Sequence, residues 1–176
     1  WIFRGWMICT SSHKRQMKRS LKFLIIGAAA ALVATVALIA TLTGSKEPLT
    51  AKGFAAAMEK NGYEVINVKE QFAQYDHVKS AYIAIDGQGG QQIEFYVLSG
   101  ADTASAFFDN NRSLFEETKG SIVSESSVSG KNHAKYTLSS GGTYKVISMI
   151  DNTAVYADVE DSCKDEVKEI LKELGY

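Results

Sequence analysis

Histidine and carboxylate side chains can carry out acid–base chemistry, but only when further groups stand close to them. His77 follows Asp76, and His133 stands apart from both along the chain. Catalysis or metal binding would need a nucleophile or additional ligands beside them. Nothing in the spacing requires such an arrangement, so we interpret His77 and His133 as isolated surface residues. We predict no catalytic residue and no metal site.

The densest group of carboxylates lies near the end of the printed sequence. Its members are Asp158, Glu160, Asp161, Asp165 and Glu166. Calcium takes about six to eight oxygen ligands, yet this spacing matches no calcium loop with alternating ligands and a central glycine. Acidic residues at the start of a helix complement its dipole, which accounts for the group. The same acidic neighbours oppose a thiolate at Cys163, so we interpret this cysteine as structural.

Five tyrosines on predicted strands are the remaining candidates for a site. They are Tyr82, Tyr96, Tyr136, Tyr144 and Tyr156. Aromatic residues favour strands in any case, but on a sheet face without helices they would form a surface for a ligand or partner. The glycine-rich GQGG at 87–90 lies between two strands, lacks the helix start that holds phosphate, and indicates a hairpin loop. We therefore predict no cofactor.

Residues 23–43 form a run of 21 residues without a charge. As a helix this run would span about 30 Å, the thickness of the hydrocarbon core of a bilayer, which disfavours a buried helix of a soluble domain. It is also long for the apolar part of a cleaved signal, and Thr43-Gly44-Ser45 is only a tolerable cleavage site. We predict contact with the membrane through an uncleaved single-pass anchor, with secretion after signal cleavage as the alternative.

The charge distribution predicts an orientation and a division of the chain. Residues 1–45 contain six basic and no acidic residues, whereas residues 46–176 contain 13 basic and 20 acidic ones. Basic residues that flank a membrane span stay on its cytoplasmic side, so the N-terminus is predicted to be cytoplasmic and the C-terminal part to lie outside the cell. An acidic domain argues against nucleic acid as a partner. We predict that residues 1–16 lie upstream of the true start of the protein or in the cytoplasm. Residues 17–45 are predicted to form a signal anchor, and residues 46–176 an extracytoplasmic domain.

The pattern along residues 46–176 predicts an α+β fold. Thr50 is placed to cap a first helix that ends at Asn61-Gly62. A second helix is predicted over 101–119, and a third, amphipathic one begins near Ser162. Between them run seven strand-like segments, joined mainly by tight turns. This order predicts an antiparallel sheet with helices packed on one face.

The layout resembles that of small membrane-anchored proteins of the bacterial cell envelope. The resemblance rests on "MKR" followed by an apolar segment, a helix ending in "NGYEV", an "IEFY" strand and a terminal "LKELGY" helix. It covers most of residues 17–176, and it implies a location and a fold but no activity and no site residues. The leading hypothesis is a non-enzymatic domain that binds an unknown protein or small ligand. The alternative is an envelope enzyme with a site near His77 or at the acidic start of the last helix.

Overall fold

The computed structural model describes residues 44–87, 91–121 and 123–176. Within these ranges it confirms the predicted α+β class, with a seven-stranded antiparallel sheet and three α-helices. The helices are α1 (Ala51–Lys60), α2 (Ala101–Glu117) and α3 (Lys164–Glu173). The strands are β1 (Glu64–Asn67), β2 (Val78–Ile85), β3 (Gln92–Leu98), β4 (Val123–Ser129), β5 (His133–Ser140), β6 (Thr143–Ile150) and β7 (Thr153–Glu160).

The predicted membrane anchor at residues 23–43 lies outside the described residues. Among the residues that the structure does describe, no helix has the length and apolar character needed to cross a bilayer. The anchor therefore stays a prediction from the sequence.

Local signals in the sequence determine where α1 begins and ends. The side-chain oxygen of Thr50 accepts a hydrogen bond from the backbone N–H of Gly53 at 3.0 Å, which confirms the predicted N-cap. Gly62, just past the helix, has a φ of 86°, a left-handed conformation that glycine adopts without steric penalty. The chain then enters β1, followed by a short 3-10 helix at Lys69–Phe72.

The sheet is one continuous layer in the order β1-β2-β3-β7-β6-β5-β4. Strands β4 to β7 form successive hairpins, and the turn between β5 and β6 uses Gly141 and Gly142, both with positive φ. The last strand, β7, pairs with β3 and thereby joins the β1–β3 group to the β4–β6 group. The sheet edges are the short β1 and the fully exposed β4.

Helices cover both faces of the sheet, which corrects the prediction that they pack on one face. The face contacted by α1 and α3, here called the front face, carries Ile93, Phe95 and Val155. The opposite, back face is contacted by α2 and carries Ile147 and Met149. The two faces are distinct because successive side chains of a strand point to opposite sides.

The central strands are apolar on both sides, and this explains the two-sided cover. In β6, Val146 and Ile147 are adjacent, both fully buried, and belong to different clusters. In β7, Val155 packs on the front face and Tyr156 on the back face. A sheet with a single helical layer would leave one of these apolar sets in water, which is unfavourable by about 25 cal/mol per Å² of apolar surface.

Candidate functional site

The five predicted tyrosines do not form one open surface. Tyr82 and Tyr144 lie on the front face, and the other three lie on the back face. Tyr96, Tyr136 and Tyr144 are buried, whereas Tyr82 and Tyr156 are half-buried. Because helices cover both faces, the uncovered tyrosine face that the prediction required does not occur in the described part of the chain.

Two of the back-face tyrosines are held by polar and charged partners. The Tyr96 hydroxyl donates to the carboxylate of Glu94, and burial together with that bond raises the pKa of Tyr96. The Tyr136 hydroxyl donates to Glu125 at 3.1 Å, while the Arg112 guanidinium lies 5.1 Å from the centre of its ring. These tyrosines are structural parts of the back-face packing.

The histidines lie in separate environments. His77 is exposed, and its ring contacts that of Tyr75 at 5.7 Å between centroids. The ring of His133 fills the space beside Gly130, where a Cβ atom would come within 2.1 Å of it. Burial, with Lys46 nearby, lowers the pKa of His133. Within the described ranges, no three His, Cys, Asp or Glu residues are arranged to hold a metal ion.

The carboxylates of the acidic residues near α3 have different partners. Asp158 pairs with Lys145 at 3.0 Å on the back face. Glu166 accepts a hydrogen bond from Gln91 at 3.1 Å. Asp165 is 98% exposed and lies 3.8 Å from the ammonium of Lys168. Asp158 and Glu160 lie on β7 and the other three near the start of α3, and Asp158, Glu166 and Asp165 contact different partners.

A depression of about 490 Å³ lies between the end of α1 and α3. Contacts between the two helices cross it: Lys60 pairs with Glu173 at 2.9 Å, and the Asn61 side chain donates to the same carboxylate at 3.3 Å. The polar groups that line this depression thus already have partners, which makes it a poor ligand site.

A second concavity, of about 530 Å³, lies on the front face where α3 stops covering the sheet. Its floor is polar, with Ser124 and Ser126 from β4 and Thr137 and Ser139 from β5. These side chains share a face because they alternate along paired strands. The floor stays open because α3 packs over the apolar middle of the sheet and not over its serine-rich edge.

Four lysines line this concavity, which we call the lysine groove. Lys135 rises from β5, and Lys164, Lys168 and Lys172 come from α3. The three helix lysines recur at intervals of four residues, so they project along one side of the helix. The lining contains only two glutamates, Glu125 and Glu169, in a domain where acidic residues outnumber basic ones.

The groove ammonium groups surround a buried tyrosine. Lys164 and Lys168 lie 5.6 Å and 5.9 Å from the centre of the Tyr144 ring, within the range of cation–π attraction. Lys164 also donates to the Ser139 hydroxyl at 2.8 Å. Burial raises the pKa of Tyr144 to about 12, so its hydroxyl keeps its proton at neutral pH.

Lys135 is half-buried in the groove. Its ammonium donates to the backbone oxygen of Tyr176 at 3.3 Å. Burial, followed by the nearby charges of Lys46 and Lys168, lowers the pKa of Lys135. An anion placed between Lys135 and Lys168 would relieve this repulsion, because an opposite charge favours the protonated form of a lysine.

Sequence reasoning missed the groove although part of its signal was readable. The spacing of Lys164, Lys168 and Lys172 is visible in the sequence, but the interleaved acids drew the interpretation toward a solvated helix face. The position of Lys135 beside that lysine row depends on how α3 crosses the sheet. No pattern within one element specifies that crossing.

The comparisons with known proteins give no relative to this chain. No protein-family model, no curated protein and no solved structure matches it.

Proposed function

We propose that residues 46–176 form a non-enzymatic binding domain that residues 23–43 hold outside the cell membrane. The observation that supports binding most strongly is the lysine groove, a concavity with lysine side chains along α3 and an uncovered polar floor. Concave sites in which polar groups converge are typical of ligand sites.

The location rests on the sequence. The uncharged run at 23–43 has the length of a membrane span, and the basic residues before it favour a cytoplasmic N-terminus. An acidic domain on the outer side is compatible with that orientation. Secretion after cleavage near Ser45 would give the same domain outside the cell without the tether.

The enzyme alternative has no observation in its favour within the described residues. His77 is exposed and contacts an aromatic ring, and the carboxylates near the start of α3 are divided between different partners. A general acid or base must lie within hydrogen-bond reach of the reacting group and be oriented by a neighbour. The geometry around His77 supplies no such neighbour.

A site-specific photo-cross-linker tests whether the groove contacts a ligand. We would place a photoreactive amino acid at Ser126, on the groove floor, in the full chain expressed in bacterial cells. The control is Ser127, the adjacent exposed residue of β4, which points to the back face and lines a different concavity. Binding through the groove predicts adducts, detected by the mass of the chain, at Ser126 and not at Ser127. Equal adducts at both positions, or none at either, would contradict the proposal.

A further inference from the structure

The Tyr144 hydroxyl is the least explained polar group of the groove. Tyr144 is 1% exposed, and its hydroxyl makes no hydrogen bond to any described residue. A buried polar group without a partner destabilises the folded state, so such groups are rare unless something else supplies the partner. Tyr144 lines the groove, so a ligand bound there would supply an acceptor for this hydroxyl.

Only weakly bound carboxylates would compete with an anion for the lysines beside Tyr144. Asp161 lies 3.9 Å from the Lys164 ammonium, and Asp165 lies 3.8 Å from that of Lys168. Both carboxylates are more than half exposed, and exposed ion pairs of this kind contribute little to stability. The lysine side chains can therefore turn toward a ligand with little loss of stability from the broken ion pairs.

We propose that the lysine groove binds a phosphate group, held by the ammonium groups of Lys135, Lys164 and Lys168 and by the hydroxyl of Tyr144. This inference rests on the proposed binding function and names the chemistry of its ligand. The four side chains are donors, and all of them line one concavity. The Ser139 hydroxyl, already joined to Lys164, supplies a fifth polar group at the same place.

Phosphate fits this donor set better than a single carboxylate. A phosphate group offers at least three anionic or acceptor oxygens and up to about two negative charges. It can therefore accept from several lysines and a hydroxyl at once, whereas a carboxylate offers two oxygens and one charge. The phosphate comes from a soluble phosphate compound, with three free oxygens and up to about two charges, or from the diester headgroup of an anionic lipid, with two free oxygens and one charge.

The test uses the full chain in detergent, with inorganic phosphate as the probe and calorimetry as the measurement. We expect saturable binding that chloride at equal ionic strength does not reproduce. Replacing Lys164 or Lys168 by Gln is expected to weaken binding about tenfold each, the usual effect of losing one charge-assisted hydrogen bond. Tyr144→Phe, which removes only the hydroxyl, is expected to weaken binding roughly two- to tenfold.

The matched control is Lys52→Gln, which removes an exposed lysine of α1 that does not line the groove. Its phosphate affinity is expected to equal that of the unchanged chain. Circular dichroism on each variant separates a folding defect from a lost contact. Phosphate binding that is absent, or that is unchanged in both Lys164→Gln and Lys168→Gln, overturns the proposal.

A second arm distinguishes the two sources of phosphate. The full chain is placed in lipid discs of phosphatidylcholine, with or without phosphatidylglycerol, and titrated again. Weaker phosphate binding in the phosphatidylglycerol discs indicates a lipid headgroup in the groove, and equal binding indicates a soluble ligand; both support the proposal. Cross-linking at Ser126 without any phosphate binding would overturn the phosphate assignment alone. If neither cross-linking at Ser126 nor phosphate binding is observed, the proposed binding function is overturned as well.

Discussion

At the residue scale, Gln91 joins three parts of the fold through its side chain. Its amide oxygen accepts from the Tyr63 hydroxyl at 2.8 Å, and its amide nitrogen donates to Glu166 at 3.1 Å. Gln91 is 6% exposed; its bond with Tyr63 is buried, and its bond with Glu166 is partly buried. Burial, together with Glu166 and Asp86, raises the pKa of Tyr63. The chain of bonds links the end of α1, the β2–β3 hairpin and α3.

Replacing Tyr63 by Phe leaves the buried Gln91 oxygen without its donor. We expect the free energy of unfolding to fall by about 1–3 kcal/mol, the usual effect of an unsatisfied buried polar atom. Urea unfolding of the full chain in detergent, followed by circular dichroism, measures the change. Tyr75→Phe is the matched control, because Tyr75 is 44% exposed and its loss is expected to change little. Equal stabilities of the two variants would contradict this role of Gln91.

Buried tyrosines predict a loss of stability at alkaline pH. Burial raises the pKa of Tyr144, Tyr156 and Tyr176 to about 12, whereas tyrosine in an unfolded chain ionises near about pH 10. The unfolded state therefore releases these protons first, and the free energy of unfolding falls as the pH rises from about 10 to about 12. Urea unfolding across this range, with tyrosinate absorbance as a second probe, is expected to show the fall. A constant free energy of unfolding would contradict it.

At the scale of elements, the amphipathic pattern of α3 was readable from the sequence and its packing is confirmed. Val167, Ile170, Leu171 and Leu174 form its buried apolar stripe. The pattern could not show that α2 packs on the opposite face. That packing depends on β6 and β7, whose apolar residues lie on both faces of the sheet. The sequences "YKVISMI" and "TAVYADV" contain apolar residues at consecutive positions, a pattern typical of strands buried on both faces, which the prediction did not use.

The position of Leu171 on α3 makes a quantitative prediction about this packing. Leu171 is fully buried against the front face, and Leu171→Ala is expected to lower the free energy of unfolding by about 2–5 kcal/mol through cavity formation. Leu114 on α2 is 50% exposed, so Leu114→Ala is expected to stay within about 0.5 kcal/mol of the unchanged chain. Urea unfolding of both variants tests the assignment. A Leu114 effect as large as that of Leu171 would contradict the burial described here.

The strands are expected to differ in how readily they open. Every residue of β4 is exposed, whereas β6 and β7 are paired on both sides and largely buried. Amide hydrogen exchange follows local opening, which is easiest where few apolar contacts hold the backbone. Exchange measured by mass spectrometry of peptides is expected to be fastest in β4 and slowest in β6 and β7. Slow exchange in β4 of the ligand-free chain would indicate that its edge is covered.

At the scale of the whole molecule, the sequence predicts the order of the elements, whereas the candidate site is visible only in the folded structure. Composition separated a basic, apolar N-terminal part from an acidic C-terminal one. Period-2 and helical patterns then predicted the order of elements, which the structure confirms for the described residues. The site could not be predicted, because the lysine groove needs Lys135 from β5 and Lys164 from α3 to line the same concavity. That neighbourhood is set by the sheet order and by the helix crossing.

The proposed binding function requires residues 46–176 to lie outside the membrane, and thiol labelling measures on which side they lie. In a full chain with Cys9 and Cys163 replaced by Ser, a single cysteine is introduced either at Asn110, exposed on α2, or at Ser20, before the apolar run. A membrane-impermeant maleimide is applied to bacterial spheroplasts that express each variant. We predict labelling of Asn110→Cys in intact spheroplasts and of Ser20→Cys only after lysis. Labelling of Asn110→Cys only after lysis would contradict the account.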